Sequence, residues 1–351
     1  MLLSLNLFVI FKTLWGQFCK GLTMSTIEKS EDSASQSSLY SSSAVGSGKL
    51  ILFGEHAVVY GYSAVALALP CGLEVIIEEN LETASGFTLA TEGRFAQVPT
   101  QESSVLIQAF SQGFAWARKQ GLSLEAHYSL RIEGALPFKV GLGSSAALSV
   151  ATLKALAKLK GQNWSKTELF EGAMAMEKVF HHQPSGLDHR VSIEGGVQAF
   201  QRINGQIELE EVMNALPLHL LLTWGPREGT TADAVAQVAQ DRAHKPQVYK
   251  ALFEQIETNT QLGREALKNG NLEQLGVSFD VNHQLLRDLG VVTPALDKAC
   301  SDLKDLGALG AKMSGAGRGG TSFGLFKTQA EAIRAAQILE KQGCQVWQVN
   351  I

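Results

Sequence analysis

The sequence predicts an α+β protein of two domains, and three observations carry that expectation. Short apolar runs alternate with stretches of helical periodicity along most of the chain, so strands and helices are interleaved. At 351 residues the chain is long enough for two cores. The pattern also changes between about Asn204 and Leu216, where mixed elements give way to long helices and then a strand–helix–strand close. The expected division is an extension over 1–47, a first domain over 48–210 and a second over 211–351.

Composition excludes several classes. Hydrophobic residues make up 45% and charged residues 18%, as in ordinary folded proteins. A formal net charge of −4 leaves no basic excess to neutralise a phosphate backbone, so no nucleic-acid partner is expected. Cys19, Cys71, Cys300 and Cys344 are scattered without a CxxC, which points to reduced thiols in the cytoplasm rather than a zinc site or a disulfide framework. Leu2–Phe11 is apolar but too short to span a bilayer, and no membrane partner is expected. The same run fits a signal-peptide core, though no small-x-small cleavage site follows closely; residues 1–23 read by preference as an upstream extension, with Met24 as an alternative start. The serine-rich, aperiodic stretch Ser25–Ser47 reads as disordered, and the fold is expected to begin near Gly48.

Taken in order, Leu50–Phe53 is a short buried strand that breaks at Gly54, with Lys49 at its entrance and Glu55 and His56 at its exit. Ala64–Leu69 and Leu73–Glu79 read as two further strands. Val105–Gln120 is a helix ended by Gly121, and Tyr128–Ile132 alternates as a strand. The next stretch organises the chain. Pro137 and the glycines at 141 and 143 open a tight loop, Ser144 and Ser145 follow, and an alanine-rich apolar run continues to Leu159. Such a loop feeding a helix N-terminus presents backbone N–H groups and the positive end of the helix dipole to an anion, phosphate above all. A capped helix after a turn explains a bare GxGSS about equally well.

Glu168–His182 is a second helix, with Leu169, Ala173, Met176 and Phe180 at three- and four-residue intervals. Pro184-Ser-Gly ends it; Leu187–Val191 follows, with a strand signal after Asp188, and Gly195-Gly196 opens a strand through Phe200. In the second half Leu218–Trp224 is a strand running into Pro226-Arg-Glu-Gly-Thr-Thr231. Helical patterns cover Ala232–Gln240, Val248–Lys268, Leu272–Leu289 and Thr293–Leu306. A glycine-dense turn flanked by strands spans Gly310–Phe326, and a helix over Ala330–Gln342 precedes a last strand over Cys344–Val349.

Three motifs now stand in order: GKLILFGEHAVVYG, PFKVGLGSSAALSVA and KMSGAGRGGTSFGLF. Together they resemble the GHMP kinase superfamily, and GEHAVVYG is most similar to the mevalonate kinases within it. The segment Glu177…Pro184-Ser-Gly-Leu-Asp188…Gly195-Gly196 is similar to that superfamily's fourth signature. The resemblance implies an N-terminal ribosomal-protein-S5-like domain and a C-terminal ferredoxin-like domain, with ATP and a small acceptor alcohol, mevalonate, meeting between them. A homodimer is compatible with it; the sequence does not fix the oligomeric state.

The chemistry implied for each residue follows. Phosphoryl transfer needs positioning, charge neutralisation and a base for the hydroxyl. Lys139, Val140, Gly141, Leu142, Gly143, Ser144 and Ser145 would form the ATP phosphate loop. Ser145 and Glu177 would offer oxygens to Mg²⁺. Asp188 would take the hydroxyl proton, and Lys49 would supply positive charge to the nucleotide and to the transferring oxygens. Glu55 and His56 would contact the acceptor acid, with Thr231 completing that wall. Two departures stand out. The segment Pro226–Thr231 is one residue longer than the superfamily's Pro-Arg-x-Thr, and GAGRGG puts Arg318 where glycine is commoner. Arg318 and Lys139 favour a related enzyme acting on an already phosphorylated acceptor, such as phosphomevalonate kinase; GEHAVVYG favours mevalonate. A non-catalytic ATP-binding sensor is the third reading, and it has no need of Lys49, Ser145, Glu177 and Asp188 together.

Overall fold

The computed structural model describes residues 39–81, 86–91, 100–134, 136–180, 186–203, 206–213 and 215–351. Residues 1–38 of the expected extension and the Pro184-Ser185 turn lie outside the described residues. Two sheets organise the chain. The first contains β1 (Leu39–Phe53), β2 (Ala64–Asn80), β3 (Gly86–Thr91), β4 (His127–Gly134), β5 (Val197–Ile203) and β6 (Gln206–Glu211). Its order is β3-β4-β2-β5-β6, with β1 paired along the other edge of β2. Its helices are α1 (Thr100–Lys119), α2 (Ser144–Leu159), α3 (Lys166–Phe180) and α4 (Leu187–Glu194).

The second half carries β7 (His219–Arg227), α5 (Thr231–His244), α6 (Pro246–Asn269), α7 (Leu272–Asp288), α8 (Pro294–Asp305), β8 (Gly310–Met313), β9 (Gly319–Phe326), α9 (Gln329–Lys341) and β10 (Gln345–Asn350). The sheet order β10-β7-β9-β8, antiparallel throughout, is that of a ferredoxin-like β-α-β-β-α-β unit with extra helices in its first crossover. Alternation along β7 sets the layers. Leu220 and Leu222 join the large core shared with the first sheet, while Leu221 packs with Cys300, Leu303, Ala335 and Leu339 of α8 and α9. No helix among the described residues is long and apolar enough to cross a membrane.

Three expectations are corrected. The first strand starts at Leu39, not near Gly48: the serine-rich run is the first part of β1, pairing Leu39–Ser47 with Gly72–Asn80. Ser42 fits here because its Oγ donates to the Ala155 carbonyl of α2 at 2.7 Å. Gly46 is required there, since a Cβ would lie 1.9 Å from the Ala147 carbonyl oxygen of α2. Second, Ala64–Leu69 and Leu73–Glu79 are one strand. Pro70 sits where β1 shifts register between Ser47 and Lys49, so its missing N–H breaks no β1–β2 bond. Third, the residues after Gly186 form α4, not a strand. Gly186 adopts φ 79° at its N-cap, a left-handed turn that glycine makes without strain.

Candidate active site

α2 is the central helix of the first half. Ala146 to Leu156 are buried except for Lys154, and Leu148, Val150, Leu153 and Leu156 contribute about 1.5–3 kcal/mol each through burial. This packing fixes the helix start. Its N-cap is Gly143 at φ 74°, with no side-chain cap, so its first turn is left for an external anion. Leu142 is buried and anchors the loop; Val140 is held where its carbonyl accepts from Thr321 Oγ1 at 2.9 Å; Lys139 is exposed in the left-handed region. Ser144 and Ser145 are half-buried in the first turn.

Lys49 reaches this loop from β1. Its backbone N–H donates to the Leu142 carbonyl at 2.8 Å and its Nζ to the Gly141 carbonyl at 3.1 Å. The same Nζ lies 3.6 Å from Asp188 Oδ1, in the first turn of α4; the Lys49 side chain is 6% exposed and that of Asp188 36%. Gly143 must be glycine for space as well as conformation: a Cβ there would lie 2.9 Å from Lys49 Cγ and 3.6 Å from Asp188 Oδ2. On the other side of the loop Ser145 Oγ donates to Glu177 Oε1 at 2.9 Å, and His189 Nε2 lies 3.2 Å from Glu177 Oε2. The structure therefore brings Lys49, the 141–145 loop, Glu177 and Asp188 into one cluster from β1, α2, α3 and α4.

Glu55 and His56 are both buried at the exit of β1. Glu55 is 1% exposed and ion-paired with Lys312 of β8, which is fully buried. Lys312 Nζ also donates to the Met313 carbonyl at 2.7 Å and the Ile51 carbonyl at 3.5 Å, and Asn282 Nδ2 donates to Glu55 Oε2 at 3.4 Å. Burial pushes the Lys312 amine below the usual lysine range and Glu55 pulls it back; three surrounding acceptors are best satisfied by the ammonium. His56 is buried, and desolvation holds it below the usual histidine value against the opposing effect of its bond to the Ala316 carbonyl at 3.0 Å. The ring is therefore neutral, donating from Nε2. Thr231 is the exposed first residue of α5, and the cap of that helix is its neighbour Thr230, in a reciprocal capping box with Asp233.

The third glycine-rich segment closes over the loop. Ser314 Oγ accepts from the Ile51 N–H at 2.9 Å and donates to its carbonyl at 3.1 Å. A Cβ on Gly141 would stand 3.9 Å from the Ser314 carbonyl oxygen. Arg318 takes φ 57° and is half-buried; its backbone N–H donates to the Val291 carbonyl. Lys312, Asn282, Ser314 and His189 were not singled out in the sequence. Only Lys312 and Ser314 carried a signal, as polar positions inside a glycine-rich motif.

This arrangement has relatives. The GHMP kinases N-terminal domain model matches residues 106–196, and the GHMP kinases C-terminal model matches 264–344. A mevalonate kinase from Archaeoglobus fulgidus is 32% identical over 300 residues, covering 85% of this chain and 97% of that protein. The chain belongs to the GHMP kinases. A mevalonate kinase from Aeropyrum pernix is 28% identical, with 87% of this chain and 94% of that protein covered. Among solved structures, L. major mevalonate kinase in complex with R-mevalonate superposes with a TM-score of 0.81 at 26% identity, covering 91% of this chain and 98% of that one. As a GHMP kinase this chain is an enzyme of phosphoryl transfer, and the glycine loop at the start of α2 is where the fold offers an anion site.

Proposed function

We propose that this GHMP kinase transfers the γ-phosphoryl group of ATP to the terminal hydroxyl of mevalonate, giving 5-phosphomevalonate in the cytoplasm, in keeping with Cys71, Cys300 and Cys344 forming no disulfide. The observation that carries the transfer chemistry is the Lys49–Asp188 pair, set against the uncapped N-terminus of α2. The acceptor's identity rests on the mevalonate kinases that resemble the chain over nearly its whole folded length.

In this reading the first-turn N–H groups of α2 hold the phosphates, and glycines at 141 and 143 let the backbone come close. Asp188 is the one partly open carboxylate of the cluster, so it takes the proton from the attacking hydroxyl. Lys49 sits between Asp188 and the loop, where its ammonium offsets charge growing on the transferring oxygens. Glu55 and His56 act on the acceptor side through shape. Their charge is spent or absent, because Glu55 faces Lys312 and His56 is neutral.

The residues fit Mg²⁺. Ser145 Oγ and the Glu177 carboxylate are hard oxygen donors 2.9 Å apart beside the phosphate loop. No group of three or more His, Cys, Asp or Glu residues suited to a metal occurs among the described residues. One carboxylate plus substrate phosphates and water is the usual Mg²⁺ arrangement in nucleotide sites. When bound, the ion would neutralise charge on the β- and γ-phosphates.

An ADP-release assay on the full chain, with Mg-ATP and either mevalonate or phosphomevalonate, tests the assignment. Turnover on mevalonate is expected. Turnover on phosphomevalonate alone would overturn the acceptor, and ATP binding without turnover on either would overturn the enzyme reading in favour of a sensor.

A further inference from the structure

His189 follows Asp188 in α4, yet its ring faces Glu177 instead of Lys49. It is 1% exposed, so it touches neither solvent nor any ligand that arrives from solvent directly. Nε2 lies 3.2 Å from Glu177 Oε2, and the other oxygen of that carboxylate accepts from Ser145 Oγ at 2.9 Å. The line Ser145–Glu177–His189 thus crosses three helices, α2, α3 and α4. Neither ring nitrogen of His189 makes an aligned hydrogen bond among the described residues: the approach to Glu177 has the right length but lies off the N–H axis. A buried polar ring without an aligned partner is unfavourable and uncommon, and it calls for a reason.

We propose that His189 is a positioning residue that fixes the Glu177 carboxylate for the divalent cation of the bound nucleotide; this rests on the kinase reading above. Ser145 Oγ donates to Oε1 and the His189 ring faces Oε2, so the carboxylate is addressed at both oxygens. A ring N–H at Oε2 helps the hydroxyl of Ser145 and the carboxylate of Glu177 present their oxygens in one arrangement. Outer partners of metal-ligating carboxylates act in this way generally. An imidazole suits the place better than lysine or arginine. Its flat, rigid ring directs a single N–H at Oε2 and orients the carboxylate. With a cation held by Ser145 and Glu177, this contact would become an aligned hydrogen bond.

The test is Mn²⁺ affinity in the ADP complex, read from the free-ion EPR signal, alongside ADP affinity in EDTA by calorimetry. His189→Leu should raise the Mn²⁺ Kd by about 10–100-fold and leave the metal-free ADP Kd within about twofold. His189→Gln, which carries an amide donor, should recover most of the loss. Glu177→Gln should weaken Mn²⁺ binding at least as much as His189→Leu. A folded His189→Leu that binds Mn²⁺ like the unmodified protein overturns the proposal. So does an equal loss of ADP affinity with and without metal, which would mark a packing role. Should His189→Leu fail to fold, ¹⁵N spectra of the unmodified protein decide. The His189 imidazole signals should move when Mg²⁺ is added to the ADP complex, and an unmoved signal overturns the assignment. Unmodified protein that binds no nucleotide would instead defeat the kinase reading, and Glu177→Gln with full Mn²⁺ affinity would defeat the ligand assignment.

Discussion

Two lysine–carboxylate pairs flank β1, and they are built for opposite ends. At the Lys312–Glu55 pair both partners are buried, every ammonium proton has an acceptor, and the second carboxylate oxygen is held by Asn282. At the Lys49–Asp188 pair the contact is long at 3.6 Å, and Asp188 stays more than a third exposed. The first pair is saturated and has nothing left to offer a substrate. The second is loose and open, and can exchange its partner for a hydroxyl or a phosphate. Charge type alone therefore does not mark a transfer site in this fold. Incomplete satisfaction beside an open anion site is what sets the second pair apart.

The sharpest way to break that contrast is at Asp188. Asp188→Asn should keep the fold and ATP affinity and lower kcat by about 10²–10⁴-fold, because the amide accepts no proton from the hydroxyl; a near-normal rate in steady-state kinetics would remove Asp188 from the chemistry. Next in size is the saturated pair. Lys312→Met leaves Glu55 buried with its ionic partner gone and should destabilise the protein by about 3–5 kcal/mol in denaturant melts. The double change Lys312→Met with Glu55→Leu should regain most of that loss, since no lone charge then stays inside. If the single change is silent, the pair does not hold the two halves together.

The smallest effect is the acid response. His283 lies behind the saturated pair, where its Nδ1 accepts from the Met313 N–H and its Nε2 faces Asp297. Burial pulls its pKa below the ordinary 6.5; Asp297 opposes that, while Lys312 and Arg287 add to it. His56 is shifted in the same direction, mainly by desolvation. Between these lowered values and about 6.5 the unfolded chain binds the extra protons, so stability rises with pH through that window. It should be fully present above about pH 6.5 and fall as pH drops through that value. His283→Gln should flatten the Tm profile between about pH 7 and 5; an unchanged slope would show that His283 carries none of it. Its thiol neighbour Cys300 takes no part, because burial pushes that group up to about 12.

Much of this was legible in the residues. The glycine loop, the buried alanine-rich helix behind it and the helix–strand succession of the second half follow from local spacing, and the structure has them. The cluster of Lys49, Ser145, Glu177 and Asp188 became legible through the order of the motifs. What could not be read depends on distant packing. The serine-rich composition of residues 39–47 hid a strand, because Gly46 and Ser42 fit α2, a helix about a hundred residues away. Pro70 looked like a break, because its harmless place in the register is set by β1. The partner of Glu55 lies 257 residues along the chain, so the sequence showed Glu55 as an open polar group at a strand exit when its carboxylate is paired inside the fold.

β1 also places a constraint on length as distinct from content. Lys49 is paired against Ala68, Ile51 is stitched to Ser314, and the turn that follows delivers Glu55 to Lys312. A strand swaps faces with every residue, so one inserted or deleted position between 49 and 55 would turn one pair away from its partner while the other stayed. Over this short stretch the spacing between the two lysine contacts is therefore fixed by geometry, in addition to the packing of each residue between them.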